Sequence, residues 1–285
     1  MTTAIDRGER WYHTIALPDG TLTAGVFDTR SAAKLVPWPE RIRGGRCLDI
    51  GTCDGFWAFE MERRGAAEVM AIDVDDPSQL DLPAEIHMRE REVLTASAAR
   101  RRKQFDAARQ ALNSKVTRCA CSVYDLDPSV HGRFDVVFCG SLLVHLRDPV
   151  RAFVRMREVC EGELVLVEAL DATLDIAARW IPCARSVPVS GQWWRYNAAG
   201  LRRALEAAGF EVVQMSRRFV TPPGPQVATR NFSEPRARMQ AVLSRIFLAY
   251  PSAPFLAQLF GLWRGTYDIA IRARPRSFVT SSSMA

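Results

Sequence analysis

Lysine is almost missing from this 285-residue chain. Lys34, Lys103 and Lys115 are its only three, although lysine and arginine together number 38. The net charge of +6 and the pI near 9.1 therefore rest on arginine. Such an excess suits a polyanion such as RNA, and equally an arginine-rich chain with solvated helix faces. RRRKQFDAARQ (100–110) is the densest cluster, and its spacing fits either role. No run approaches the ~18 apolar residues of a spanning helix, so no membrane span is expected. The opening MTTAIDRGERWYHTIALPDG lacks an apolar signal-peptide stretch, which points to the cytoplasm. Among seven cysteines there is no CxxC pair, which leaves free, mostly buried thiols as the expectation. Cys119 and Cys121 share a strand face but have no histidine pair to complete a zinc site, and no metal is expected. Neither a G-x-x-x-x-G-K-[ST] loop nor an intact G-x-G-x-x-G occurs, which argues against nucleotide phosphates and pyrophosphate cofactors.

What is present is a soluble globular composition, 48% hydrophobic and 25% charged, enough for one sizeable core. Short apolar runs at 46–50, 68–73, 115–120, 134–139, 163–169 and 210–216 predict strands buried on both faces. Between them, 55–65, 96–112, 148–160 and 197–209 predict helices. Asp148-Pro149 and Asn197 supply N-terminal signals, and Gly65 and Gly209 supply C-terminal ones. This alternation implies an α/β fold with a doubly wound, mostly parallel sheet. The segment 11–25 predicts a short hairpin turning at Asp19-Gly20, and 30–44 a helix interrupted near Pro37 and Pro39.

The domain plan that follows is an N-terminal extension (1–44), a core (45–220), a helical insertion (221–263), a final strand (264–275) and a polar tail (276–285). The insertion would cover the ligand cleft or make an oligomer contact. The sequence leaves the oligomeric state open.

The loop Gly51-Thr52-Cys53-Asp54-Gly55 follows the first core strand and lacks the middle glycine that lets backbone approach a pyrophosphate. Gly51 permits a tight turn and Gly55 a close helix start. Asp49 suits an ammonium or loop-ordering role, and the helix start after Gly55 suits a carboxylate. Asp73 ends the second strand 22 residues after Gly51, where an acid can accept both ribose hydroxyls. An amino acid, a sulfonium and a nucleoside without phosphate describe S-adenosyl-L-methionine.

At these residues the chain resembles the class I S-adenosylmethionine-dependent methyltransferases, with their Rossmann-like fold and antiparallel last strand. LDIGTCDG resembles their first motif, AIDVDD the second, CSVYDLD (121–127) the adenine loop and RFDVVFCGSLLVHLRDP (133–149) the fourth motif. The resemblance implies cofactor contacts from Asp49, Gly51, Thr52, Asp54, Gly55, Asp73, Ser122, Val123 and Gly140. WYHTIALPDGTLTAGVFDTR, DIGxxDGFW, LLVHLRDP and GQWWRYNAAGLRRALEAAGF further resemble the bacterial tRNA wobble-uridine carboxymethyl-transferring enzymes and their small relatives. Their fourth motif typically carries Tyr-His where this chain has Val144-His145, and their lysines lack counterparts. Ordinary methyl transfer is therefore expected rather than carboxymethyl transfer.

His145 is the candidate general base, with a structural histidine as the alternative. Arg147 either clamps an anionic acceptor or neutralises Asp148. Trp193, Trp194 and Tyr196 stack a planar acceptor or pack beneath the insertion. Trp11 and His13 form an acceptor lid or pack on the sheet. Cys53 needs a neighbouring base to act as a nucleophile, and neither His145 nor His131 can be set beside it from sequence. The expected acceptor is a small molecule or glycan-like compound. A tRNA nucleoside is the alternative, and a non-catalytic cofactor-binding regulator is a third reading.

Overall fold

The computed structural model describes residues 9–187, 191–226 and 265–277. In chain order the strands begin with β1 (Trp11–His13), β2 (Gly25–Phe27), β3 (Arg46–Ile50), β4 (Glu68–Asp73), β5 (Thr117–Ala120) and β6 (Phe134–Gly140). They continue with β7 (Cys160–Ala169), β8 (Ala184–Ser186), β9 (Trp194–Tyr196), β10 (Phe210–Met215), β11 (Phe219–Thr221) and β12 (Thr266–Pro275). The helices are α1 (Phe56–Arg63), α2 (Ala84–Arg89), α3 (Arg91–Ala111), α4 (Pro128–His131), α5 (Pro149–Val159), α6 (Ala172–Ala177) and α7 (Ala198–Ala207).

The central sheet runs β10-β12-β7-β6-β3-β4-β5, with β11 also paired to β12. The stretch from β7 to β5 is parallel, and β12 is antiparallel to its neighbours β7 and β10. The doubly wound sheet with an antiparallel last strand is thus as the sequence predicts. Strand order reverses beside β3, with β4 on one side and β6 on the other, and a ligand crevice opens at such a switch point. Alternation along β3 sends Leu48 and Ile50 to one core, with Phe153 and Leu201, and Cys47 to the other, with Trp57 and Phe105.

Caps fall where the sequence places them. Asp148 accepts the Arg151 N–H, with Pro149 in the first turn of α5, and Asn197 accepts the Gly200 N–H at the start of α7. α3 begins at Arg91, earlier than the apolar spacing suggests, because exposed polar residues fill its first turns.

Three local readings change. The 11–25 hairpin survives only at its tip, where Ala16 bridges Leu22 and Asp19 accepts the Thr21 N–H. β1 and β2 themselves pair in parallel, and beside them the Thr23 hydroxyl accepts Ile15 N–H and donates to His13 O. The 30–44 helix is reduced to two single 3-10 turns at Ala32–Lys34 and Glu40–Ile42, since Pro37 and Pro39 lack the donors a continuous helix needs. Residues 221–224 extend the sheet region, with Pro223 bridging Phe27 and Gly224 N–H bonded to Val26 O. The remainder of the expected insertion, from residue 227 to 263, lies outside the described residues, as does the tail from 278. Among the described residues, no helix is long and apolar enough to cross a membrane.

Phe153 is fully buried between α5 and the sheet. Phe153→Ala should lower the unfolding free energy by about 3–5 kcal/mol in urea titrations, and a loss below ~1 kcal/mol would contradict this packing.

Candidate active site

The glycine loop joins β3 to α1 at the crevice. Gly51 (φ 74°), Cys53 (φ 53°) and Gly55 (φ 92°) all occupy left-handed backbone. A Cβ on Gly55 would stand 2.5 Å from the Phe59 ring and 2.8 Å from Phe105, so glycine is required there. Cys53 adopts the backbone conformation for which glycine is the usual choice. Its N–H donates to Asp73 Oδ2 at 2.8 Å, which ties the loop to the end of β4. Burial pushes the Cys53 thiol well up, the reverse of what a nucleophile needs.

Asp49 is 1% exposed, and its Oδ2 has no hydrogen-bond partner among the described residues; neither does Thr52 Oγ1. Burial pushes the Asp49 carboxyl up to about 7. Asp73 uses Oδ1 on Val74 N–H and Oδ2 on Cys53 N–H, which leaves other lone pairs of a carboxylate open. Arg101 from α3 stands 3.9 Å from it. Ser122 accepts the Tyr124 N–H, and Val123 is buried beneath that turn. At Gly140 the space a Cβ would take belongs to Phe138 and the Trp57 indole.

Asp54 differs from its expected cofactor role. It is 0% exposed, and its carboxylate accepts Tyr12 N–H (3.0 Å), His13 N–H (2.7 Å) and His13 Nδ1 (2.5 Å). The carboxylate is therefore committed to β1. His13 is buried in this pair and stacks on Phe56, and Trp11 is a core residue at 1% exposure. Both thus fall on the packing side of the alternatives.

The fourth-motif loop carries His145. Its Nδ1 lies 2.7 Å from Gly191 O, so that nitrogen bears the proton, and Nε2 has no partner among the described residues. Burial, with the charges of Arg101 and Arg195, holds the imidazole below its ordinary value. Arg147 is exposed and pairs with Asp81 (3.6 Å), not Asp148, whose carboxylate caps α5. The half-buried Trp193 and Trp194 donate their indole N–H groups to Asp81 O and Arg147 O. Tyr196 packs, partly buried, against the core, and burial lifts its phenol to about 12.

Sequence reasoning missed three members of this site. Glu168, fully buried at the end of β7, accepts Leu143 N–H at 2.9 Å and so holds the fourth-motif loop; burial lifts it to about 8. Its signal was a lone acid closing an apolar strand. Asp81 and Tyr124 meet at 2.8 Å across loops far apart in sequence, a pairing with no local signal. Among the described residues no group of His, Cys, Asp or Glu is placed to hold a metal ion.

A methyltransferase-domain family model matches residues 27–215, well over half of the chain. The chain belongs to the methyltransferase-domain family. S-adenosyl-L-methionine is the methyl donor of that family. Among its relatives, the tRNA U34 carboxymethyltransferase of Pseudomonas aeruginosa is 28% identical over 172 residues, 59% of this chain and 46% of the relative. That of Psychromonas ingrahamii is 26% identical over 199 residues, 69% and 53%. This methyltransferase spans about half the length of the curated relatives it matches. A Bacillus halodurans protein classed as a methyltransferase shares the fold, with TM-score 0.50, 16% identity, and coverage of 88% and 99% of the two chains. So does the N-terminal domain of EvdMO1, solved with S-adenosylhomocysteine and D-fucose, with TM-score 0.50, 16% identity, and coverage of 93% and 91%.

The residues of this methyltransferase fit the donor. Asp49 Oδ2 and Thr52 Oγ1, both buried and without a well-aligned hydrogen bond among the described residues, lie at a loop of left-handed backbone, and Asp73 keeps free lone pairs. If Asp49 meets the donor's ammonium, that cation lowers its pKa and the proton leaves. Binding between pH 6 and 7 should then release a proton fraction that grows toward the acid end. Calorimetry in MES and imidazole buffers, which differ in ionisation enthalpy, should give different binding enthalpies, and Asp49→Asn should erase the difference. Equal enthalpies for the unaltered protein would exclude the role.

Proposed function

We propose that this chain transfers a methyl group from S-adenosylmethionine to a small-molecule acceptor held beside His145 and the Trp194–Tyr196 strand. The observation that carries the small-molecule reading is the state of the arginine cluster. Arg102 is held by Asp75 and Asp106, both at 3.1 Å; Lys103 lies 3.7 Å from Glu9; and Arg101 lies 3.9 Å from Asp73. Three of the cluster's five basic side chains are thus paired with acids within the fold, which weakens it as a track for a phosphate backbone.

When bound, the donor supplies an electrophilic methyl on a sulfonium. The chain's part is to align the acceptor at about 3–3.5 Å and to take a proton from it. His145 suits the second task. Its Nδ1–H is fixed on Gly191 O, which leaves Nε2 as the proton acceptor. A depressed pKa keeps that nitrogen unprotonated, and so able to accept a proton, across neutral pH. Glu168 fixes the loop that carries the histidine by holding Leu143 N–H.

The tRNA reading is favoured by the names of the relatives, tRNA U34 carboxymethyltransferases. Tritiated methyl transfer into fractionated lysate separates the two. Label is expected in the low-molecular-weight fraction, and label confined to RNA would overturn the small-molecule reading. The pH profile tests the base. Transfer should stay level from pH 8 to about 6.5, an ordinary histidine pKa, and decline only below it as Nε2 gains a proton. His145→Ala should lower kcat about 10²-fold or more while leaving donor affinity unchanged. Undiminished turnover would remove the histidine from the mechanism.

A further inference from the structure

The two-stranded ribbon β8–β9 brings two arginines together. Its antiparallel register sets Arg185 directly opposite Arg195, so both side chains leave the same face. Like charges in that position are unfavourable unless something negative compensates them. Arg185 has its counter-ion, Asp171. Arg195 does not. Its only hydrogen-bond partner among the described residues is the neutral Gln192 Oε1, reached by Nε at 3.2 Å and Nη2 at 3.0 Å. No carboxylate comes within ion-pair distance of it there.

The contrast with the nearby arginines is direct. Arg101, Arg147 and Arg218 are paired with Asp73, Asp81 and Asp175 respectively. A guanidinium carries five N–H donors, and Gln192 occupies only two of those on Arg195. The side chain is partly buried, which makes unmet donors costly unless a ligand or solvent meets them. Arg195 also lies within electrostatic reach of His145, Glu168 and Asp268. The two carboxyls do not cancel its charge by contact. Asp268 is held by Thr221 and Thr266, and Glu168 by Leu143 and Ala169 N–H groups.

We propose that Arg195 anchors an anionic group, a carboxylate or phosphate, on the acceptor of methyl transfer, and so selects acidic small molecules as substrates. Planar, forked donors match such oxyanions bidentately. Trp194 and Tyr196 leave β9 by its other face, and His145 stands within the field of the arginine. The acceptor's anion would therefore rest on the ribbon while its nucleophilic atom approaches the histidine. The inference rests on the small-molecule reading above, and its test is arranged so that the two can fail separately.

Inorganic phosphate is titrated at constant ionic strength into the protein with and without saturating S-adenosylhomocysteine, with tryptophan fluorescence as the readout. The unaltered protein should give a saturable change, at least tenfold weaker in Arg195→Gln and partly retained in Arg195→Lys. Affinity for S-adenosylhomocysteine should be the same in all three proteins, which also establishes that the variants are folded. The proposal is overturned if no saturable change occurs, if Arg195→Gln binds phosphate as well as the parent, or if phosphate competes with S-adenosylhomocysteine. The last result would assign the arginine to the donor's own carboxylate. Phosphate binding lost in Arg195→Gln, in a protein that does not bind S-adenosylhomocysteine, would sustain the anion site and defeat the methyl-transfer reading instead.

Discussion

The buried carboxylate of Asp54 accepts two backbone N–H groups and the imidazole of His13, and the arrangement of the site depends on that clasp. It fixes the glycine loop from beneath while the Cys53 N–H bond to Asp73 fixes it from the side. It also draws β1 onto the loop, and β2 then pairs with residues 222–224 beyond β11. The first and the later parts of the described chain are therefore joined at the crevice. A buried carboxylate held in this way costs desolvation, and removing its partners strands it. Its stronger consequence is specificity of position rather than net stability.

Around that fixed loop the electrostatics divide by side. The donor side carries acids: Asp49, pushed up to about 7 by burial, and Asp73, whose carboxylate keeps lone pairs for hydroxyl donors. On the proposed acceptor side stand a histidine held below its ordinary pKa by burial and Arg195, which has no carboxylate partner among the described residues. A positively charged donor and an acidic acceptor match that division. Of the three residues other than glycine that hold left-handed backbone among the described residues, Cys53 and Ser141 lie in the two loops that meet at the crevice, and the third is Asn113. Backbone strain of this sort is maintained where the surrounding structure dictates it.

Much of the fold was legible in the sequence because it rests on local signals. Apolar runs gave β3, β4, β6 and β7, and Asp148-Pro149 and Asn197 marked their helices. Gly51 and Asp73 were legible through their distance along the chain. What was not legible depends on contacts between distant residues. Asp54 looked like a donor ligand because nothing local reveals that His13, 41 positions earlier, takes its carboxylate. The parallel pairing of β1 with β2 is made by backbone bonds between residues more than ten positions apart, Trp11 N–H to Ala24 O and Thr14 N–H to Phe27 O. For Arg147 the sequence offers an anionic acceptor or its neighbour Asp148, whereas tertiary packing gives it Asp81, and Asp148 turns to its helix.

Asp73 is where the loop geometry and donor recognition coincide, so it offers the most direct test. Equilibrium binding of S-adenosylmethionine should be about 10- to 100-fold weaker in Asp73→Ala, the loss of charge-assisted hydrogen bonds worth about 1.5–3 kcal/mol, in a variant that remains folded. An affinity equal to that of the unaltered protein would contradict the donor site described at the ends of β3 and β4.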